Sequence, residues 1–118
     1  MIQLGPRRAL IYDAEGPMLR TEADANDFIG EAWRAEADMV VIPASRIGDA
    51  FFQLRTRVAG EIVQKFVNYR LHLVVLGDIS SWTRESQALR DYIEESNRGR
   101  ALWFMRDVAE LEAAAQRL

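Results

Sequence analysis

The sequence predicts an α/β fold: a single domain over residues 1–118, with a mostly parallel sheet of four to five strands and about four helices in two or three layers. Short apolar, β-branched segments such as Met39–Ile42 alternate with amphipathic segments whose apolar residues recur at helical spacing. The chain of 118 residues has the usual length of one domain. Because no repeat or linker interrupts the alternation, we expect right-handed helical crossovers between consecutive strands.

Composition excludes several classes of protein. The chain has 49% hydrophobic residues and three prolines, as expected of a folded domain. A net charge of −3 and a pI near 5.2 argue against nucleic-acid binding through a basic surface. The absence of cysteine excludes disulfides, thiolate nucleophiles and cysteine-ligated zinc. Because no segment approaches the roughly 20 apolar residues of a membrane span, we expect a cytoplasmic protein without a membrane partner.

The first part of the chain is predicted to contain a strand, a short extended segment and a helix. The apolar run Ala9–Asp13 is the predicted first strand, and Met18–Arg20 is predicted to pair with it. A capping-box pattern at Thr21 and Asp24 begins a helix that runs to about Ala37. The residues of this helix that we expect to face the core are Ala25, Phe28, Ile29, Ala32 and Trp33.

The middle of the chain is predicted to contain a buried strand and a longer helix. Met39–Ile42 is apolar on both faces, so we expect helices on both sides of this strand. Asp49 is expected to cap a short turn before the helix. Gly60 in the helix indicates either close contact with the sheet or an exposed position that tolerates glycine. The apolar face of the helix is predicted to contain Val58, Ile62, Val63, Phe66 and Val67.

Two further strands and two helices are predicted in the last part of the chain. Leu71–Leu76 and Ala101–Met105 are the predicted strands. The helix between them is expected to run from about Glu85 to Ser96 and to end at a left-handed Gly99. Asp107 is expected to cap the final helix.

Polar residues follow the predicted strands, and parallel strands bring such residues to one edge of a sheet. The sequence therefore predicts a ligand-binding site at that edge, formed by Asp13, Ser45, Arg46, Asp78 and Ser80. Arg46 would be the natural partner there for a carboxylate or phosphate. Trp82 follows in a polar loop, where its indole is expected either to cover the pocket or to lie in a dimer contact. Each polar residue also has a structural interpretation, as a strand end, a turn or a helix cap.

Several catalytic and nucleotide-binding patterns are missing. The chain has no GxxxxGK[ST] loop and no GxGxxG after a strand. A receiver domain needs a lysine at the end of a late strand, whereas the single lysine, Lys65, lies in a predicted helix. The single histidine, His72, begins a strand opposite the edge where the serines lie, and we expect it to face solvent or a packed helix. We therefore predict no catalytic residue, no metal ligand and no cofactor.

Two long segments resemble a known bacterial family. FFQLRTRVAGEIVQKFVNYRLHLVVLGDIS and SQALRDYIEESNRGRALWF are similar to the family catalogued as domain of unknown function 4180, and the similarity spans nearly the whole chain. Members of that family often have glycine after the LRT segment, where this chain has Arg57. The family name implies no activity.

The order of elements also resembles, more distantly, the sulfate-transporter and anti-sigma-antagonist (STAS) domain. That resemblance implies a small cytosolic α/β module that binds proteins and is switched by phosphorylation. Its modified hydroxyl opens the helix after the central strand, and Thr56 is the nearest match in this chain. A phosphate on Thr56 would lie at a helix N-terminus beside Arg55 and Arg57, which favours the charge. The alternative is that Thr56 is an ordinary N-cap.

Two classes of function follow from these observations. The first is a non-catalytic regulatory or protein-binding module, with an unknown protein partner or a second copy of the chain. The second is a protein that binds a small molecule or anion, as a binder or as an enzyme, at the carboxyl ends of the strands. A cleft of about 300 Å³ or more that contains Asp78 would favour the second class. Exposed apolar side chains on a helix face would favour the first.

Overall fold

The structure is a computed structural model, and it describes all of residues 1–118. Its centre is a five-stranded sheet in which the spatial order of the strands is the order along the chain. The strands are β1 (Ile2–Leu4), β2 (Arg7–Ile11), β3 (Met39–Pro43), β4 (His72–Leu76) and β5 (Leu102–Met105). The pairing of β1 with β2 is antiparallel, and all other neighbours are parallel. The predicted mostly parallel sheet is therefore confirmed.

Five α-helices and three short 3₁₀ helices connect and cover the strands. The α-helices are α1 (Ala25–Arg34), α2 (Val58–Asn68), α3 (Ser80–Thr83), α4 (Gln87–Arg98) and α5 (Val108–Ala115). The 3₁₀ helices lie between β3 and α2, at Ala44–Arg46, Asp49–Phe52 and Leu54–Thr56. None of the helices combines the length and the apolar character that crossing a membrane requires.

The two faces of the sheet are covered unequally. Because consecutive parallel strands are neighbours, right-handed crossovers place α1, α2 and α4 on the same face. The core on that face has 20 buried residues, including Phe28, Ile62 and Leu89. The last helix, α5, follows the edge strand β5 and covers the opposite face, where Leu111 and Ala114 belong to a core of 10 buried residues. The fold thus has three layers, and the third layer is a single helix.

The predicted cap of α5 is confirmed, whereas the predicted pair of Thr21 and Asp24 forms in the turn that precedes α1, which begins at Ala25 without a side-chain cap. The backbone N–H of Glu110 donates to Asp107 Oδ1 at 2.8 Å, as expected of the cap of α5. Before α1, the N–H of Thr21 donates to Asp24 Oδ2 at 3.0 Å, and the N–H of Asp24 donates to the Thr21 hydroxyl at 3.4 Å. These local patterns need no tertiary contact, which is why they could be read from the sequence.

The N-terminal region differs from the prediction. Ile2–Leu4 forms an additional strand that pairs with β2 across a turn at Gly5. Gly5 has a φ of +56°, and a Cβ atom there would lie 2.3 Å from the carbonyl oxygen of Ala115, so only glycine fits. The predicted pairing of Met18–Arg20 with the first strand is wrong, because Leu19 bridges in parallel to Ile47. Both differences depend on contacts between distant parts of the chain.

Trp33 and Gly99 differ from the prediction, as does Val67, which was expected on the apolar face of α2 and is 39% exposed, while Gly60 agrees with one of its two predicted alternatives. Trp33, expected in the core, is 63% exposed, because the buried stripe of α1 is narrow and Trp33 lies at its margin. A Cβ atom at Gly60 would have no neighbour within 4 Å, so this glycine occupies an exposed position rather than a close helix–sheet contact. Gly99 has φ −94° and ψ −162°, so α4 ends in extended backbone and not in a left-handed residue.

Candidate functional site

The carboxyl ends of the four parallel strands lie along one edge of the sheet. The register pairs Ile11 with Val41, Pro43 with Leu76, and Leu76 with Met105. The loops that follow these strands therefore begin side by side, as the parallel arrangement predicts. At this carboxyl edge the connection from β4 leads to α4 and that from β5 leads to α5, which cover opposite faces of the sheet.

Arg46 is the most buried polar residue of the carboxyl edge, with 5% of its surface exposed. Its Nε donates to the carbonyl oxygen of Pro17 at 3.0 Å, and its Nη1 donates to that of Asp13 at 3.2 Å. The guanidinium carbon lies 5.0 Å from the ring centre of Tyr12 and 5.4 Å from that of Phe28, within the range of cation–π attraction. Arg46 therefore holds the loop after β2 against α1.

Tyr12 links the same loop to α1. Its hydroxyl donates to Glu31 Oε1 at 3.0 Å, and its ring packs edge-on against Phe28 with the centroids 5.0 Å apart. Burial and, secondarily, the bond to Glu31 raise the pKa of Tyr12, while the nearby charge of Arg46 acts in the opposite direction. The phenol is thus a neutral hydrogen-bond donor at neutral pH. Sequence reasoning did not select Tyr12 or Glu31, since an apolar strand end gives no sign of a partner 19 residues away.

Two other polar residues of the carboxyl edge, Asp78 and Ser45, also make hydrogen bonds with backbone groups. Asp78 Oδ1 accepts a hydrogen bond from the N–H of Ser80 at 2.9 Å, and this bond lowers the pKa of the exposed Asp78 carboxyl. The hydroxyl of Ser45 donates to the carbonyl oxygen of Ala14 at 3.3 Å. Trp82 lines a cleft of about 460 Å³, whereas Asp13, Ser45, Arg46, Asp78 and Ser80 line neither that cleft nor the four other main clefts.

Trp82 lies in α3, and its indole is half-buried. The ring stacks on Phe52, with the ring centroids 4.2 Å apart and an angle of 17° between the planes. Together with Arg55 and Glu85, these two aromatic residues line a cleft of about 460 Å³ between α4 and the 3₁₀ helices. The indole is thus one wall of an open cleft beside the carboxyl edge.

Thr56 is the last residue of the 3₁₀ helix that precedes α2. Its hydroxyl oxygen lies 2.6 Å from the carbonyl oxygen of Ala50 and 2.8 Å from that of Gln53, and it accepts the N–H of Val58 at 3.2 Å. A hydroxyl has one proton, so the two carbonyl oxygens share a single donor. Phosphorylation of Thr56 would require this hydroxyl to leave its present hydrogen bonds.

An exposed aromatic patch lies at the C-terminal ends of α1 and α2, and it was not expected from the sequence. The patch consists of Trp33 and Tyr69, which are 63% and 47% exposed. The rings of Trp33 and Tyr69 meet edge-on, with their centroids 6.4 Å apart. Helical periodicity assigns Trp33 to the core, so the pattern gave no signal for this surface.

These features define the class: a small α/β protein whose polar carboxyl edge mainly holds its own loops, and whose helix face presents aromatic side chains. The chain belongs to the family described as Domain of unknown function (DUF4180), because the family model matches residues 5–115. No curated protein and no solved structure matches the chain. The similarity of its element order to the STAS domain stays a prediction.

Proposed function

We propose that this chain is a non-catalytic regulatory module that binds another protein chain through the aromatic patch. The observation that supports this proposal is the exposure of Trp33, 63% of which faces solvent on a helix surface. Tryptophan and tyrosine are the residue types that most often dominate the binding energy of protein interfaces. A protein partner would remove the rings of Trp33 and Tyr69 from water, and the burial of this apolar surface would favour binding.

The surroundings of the aromatic patch suit a protein interface with an apolar centre and a polar rim. Tyr69 also lines a shallow depression of about 500 Å³ along α2, and most of its other lining residues are charged or polar, including Glu22, Glu61 and Lys65. None of these three residues makes an ion pair within the chain. The expected partner therefore places an apolar side chain against Trp33 and polar groups along α2.

The bonding of the carboxyl edge supports a non-catalytic role. Arg46, Ser45 and Asp78 each make a hydrogen bond with a backbone group of the loops at this edge. For Arg46 to bind a carboxylate or phosphate, the guanidinium would have to release the carbonyl oxygens of Asp13 and Pro17. Binding of a small anion at this edge would thus break the hydrogen bonds that hold the loop after β2 in place.

Site-specific photo-crosslinking in the source cells tests the proposal. A benzophenone amino acid replaces Trp33 in one variant and Glu112, an exposed residue of α5, in the control variant. We expect a discrete crosslinked product at position 33 and none at position 112. The added change Tyr69→Glu should remove the product, because a carboxylate would be buried in the interface.

Mass spectrometry then distinguishes a second copy of the chain from a different protein, and both results agree with the proposal. The proposal is wrong if position 33 yields no product, or if the product persists with Tyr69→Glu.

A further inference from the structure

The amino ends of the parallel strands form the opposite edge of the sheet, and basic residues gather there. Arg7 begins β2, Arg70 lies two residues before β4, and Arg100 lies two residues before β5. Asp38 directly precedes β3. All four line one cleft of about 300 Å³, together with His72. We call these five residues the arginine pocket.

The basic groups of the arginine pocket have no partner within the chain. No carboxylate lies within 4.0 Å of the guanidinium groups of Arg7, Arg70 or Arg100. Asp38 instead accepts a hydrogen bond from the backbone N–H of Arg8 at 2.8 Å. The pocket therefore has three positive charges and one negative charge, in a chain whose net charge is −3.

His72 is the decisive residue of the arginine pocket. It is 97% buried, being only 3% exposed, and neither Nδ1 nor Nε2 has a hydrogen-bond partner. Nε of Arg7 is also buried without a partner. Buried polar groups in native proteins are almost always hydrogen-bonded, so such a cluster calls for an explanation. A ligand that accepts hydrogen bonds from Nε–H of Arg7 and from the one N–H of the neutral imidazole would supply a partner for both residues.

The geometry points to a binding site for a small oxyanion, a phosphate or phosphomonoester group, in the arginine pocket at the amino edge of the sheet. Each guanidinium can donate two parallel hydrogen bonds to an oxyanion, and a phosphate group has enough oxygen atoms for three such donors and an imidazole. A single carboxylate has only two oxygen atoms. This site lies at the opposite ends of the strands from the predicted carboxyl-edge site, and it does not depend on the aromatic patch.

The ring of Trp103 packs against His72 from outside the pocket. The two rings meet edge-on with their centroids 4.3 Å apart, which fixes the orientation of the imidazole. Burial lowers the pKa of His72 to about 4, and the charges of Arg7 and Arg100 act in the same direction. At neutral pH the imidazole is therefore uncharged and has one N–H donor to offer. A bound dianion would reverse the local field and raise this pKa.

His72 is also the natural probe, because it is the single histidine of the chain. Inorganic phosphate is titrated into the protein at constant ionic strength, and the imidazole resonances of His72 are followed by nuclear magnetic resonance. Wild type is compared with Arg100→Gln, which removes one guanidinium from an exposed position of the pocket. The matched control is Arg20→Gln, an exposed arginine outside the pocket.

We expect saturable shifts of the His72 resonances, with a pKa that rises when phosphate is bound. Arg100→Gln should weaken binding by about tenfold or more, since a charge-assisted pair is lost, whereas Arg20→Gln should leave it unchanged. The inference is overturned by shifts that stay linear through the millimolar range, or by equal affinities of the two variants. Should Arg100→Gln not fold, Arg70→Gln provides the same comparison.

Discussion

The side-chain amide of Asn97 makes the two hydrogen bonds with Phe104 that a further strand would make. Asn97 Nδ2 donates to the carbonyl oxygen of Phe104 at 3.2 Å, and the N–H of Phe104 donates to Asn97 Oδ1 at 2.8 Å. Phe104 lies in β5, the edge strand of the sheet. Free N–H and C=O groups on an edge strand are a template for pairing with another chain, so Asn97 protects this edge.

Asn97→Ala should expose that edge. We expect a loss of about 1–2 kcal/mol in the free energy of unfolding, because both bonds to Phe104 disappear. Self-association should also rise with protein concentration. Urea denaturation and light scattering measure the two effects. Asn97→Asp retains the acceptor for the Phe104 N–H and should show a smaller loss; equal behaviour of the two variants would contradict the assignment.

His72 should make stability depend on pH. Its pKa is lowered to about 4 in the folded chain by burial and by the charges of Arg7 and Arg100, whereas an unfolded histidine titrates near 6.5. The folded state therefore favours the neutral imidazole. This contribution to stability is fully present above pH 6.5 and is lost as the pH falls from 6.5 towards 4.

The comparison of wild type with His72→Phe isolates this effect. Between pH 7 and pH 4.5, wild type should lose about 2–3 kcal/mol more unfolding free energy than the variant, because the unfolded histidine takes up a proton in this range while the buried imidazole of folded wild type stays mostly neutral. Phenylalanine preserves the edge-on contact with Trp103. Carboxyl groups titrate in both proteins and cancel in the difference. Parallel pH profiles from urea denaturation would show that His72 does not titrate as described.

Arg57→Gly should stabilise the fold. Arg57 has a φ of +65°, in the left-handed region that glycine occupies without steric cost. Glycine relieves the steric strain of the folded chain by more than it stabilises the unfolded chain through added conformational entropy. We therefore expect the free energy of unfolding to rise by about 0.5–1 kcal/mol. Arg55→Gly, in the preceding 3₁₀ helix and without a positive φ, should instead be destabilising. Thermal and urea denaturation of both variants provide the test, and a loss in both would reject the strain argument.

Arg46→Met should be strongly destabilising. The variant leaves the carbonyl oxygens of Asp13 and Pro17 without their donor and removes the cation from the two aromatic rings. We expect a loss of about 2–4 kcal/mol in unfolding free energy. Arg106→Met is the control, since Arg106 makes only an exposed ion pair with Glu110 and should change stability by less than about 1 kcal/mol.

The parallel strands β3, β4 and β5 could be predicted because each is mostly an apolar run, whereas the strand predicted at Ala9–Asp13 is found two residues earlier, as β2, because two arginines begin it. The predicted Met39–Ile42 and Leu71–Leu76 agree with β3 and β4 to within one residue at each end. The strand β1 could not be predicted, because its sequence IQL is short and its position depends on the contact of Gly5 with Ala115. Trp33 was wrongly predicted to be buried. Periodicity defines the direction in which a side chain of α1 points, but it does not show whether the neighbouring helix α2 extends far enough to cover that side chain.

The position of the carboxyl edge could be predicted from chain topology, but the bonding of its residues could not. Nothing in the sequence around Arg46 indicates that its partners are two carbonyl oxygens about 30 residues earlier. The arginine pocket did leave a signal, since Arg7, Arg70 and Arg100 each lie at or just before the start of a parallel strand. The starts of parallel strands share one edge of the sheet just as their ends share the other, so the three arginines are brought together by topology alone.

The eight-residue helix α5 is the only helix over the second face of the sheet. Local opening of this helix would give water access to Met39, Val41 and Val74 while α1, α2 and α4 stayed in place. Backbone amides of α5 should therefore exchange with deuterium through a partial opening, and those of α2 only when the whole chain unfolds. Water would then reach the α5 face of the sheet more often than the face covered by α1, α2 and α4, although both faces belong to one sheet.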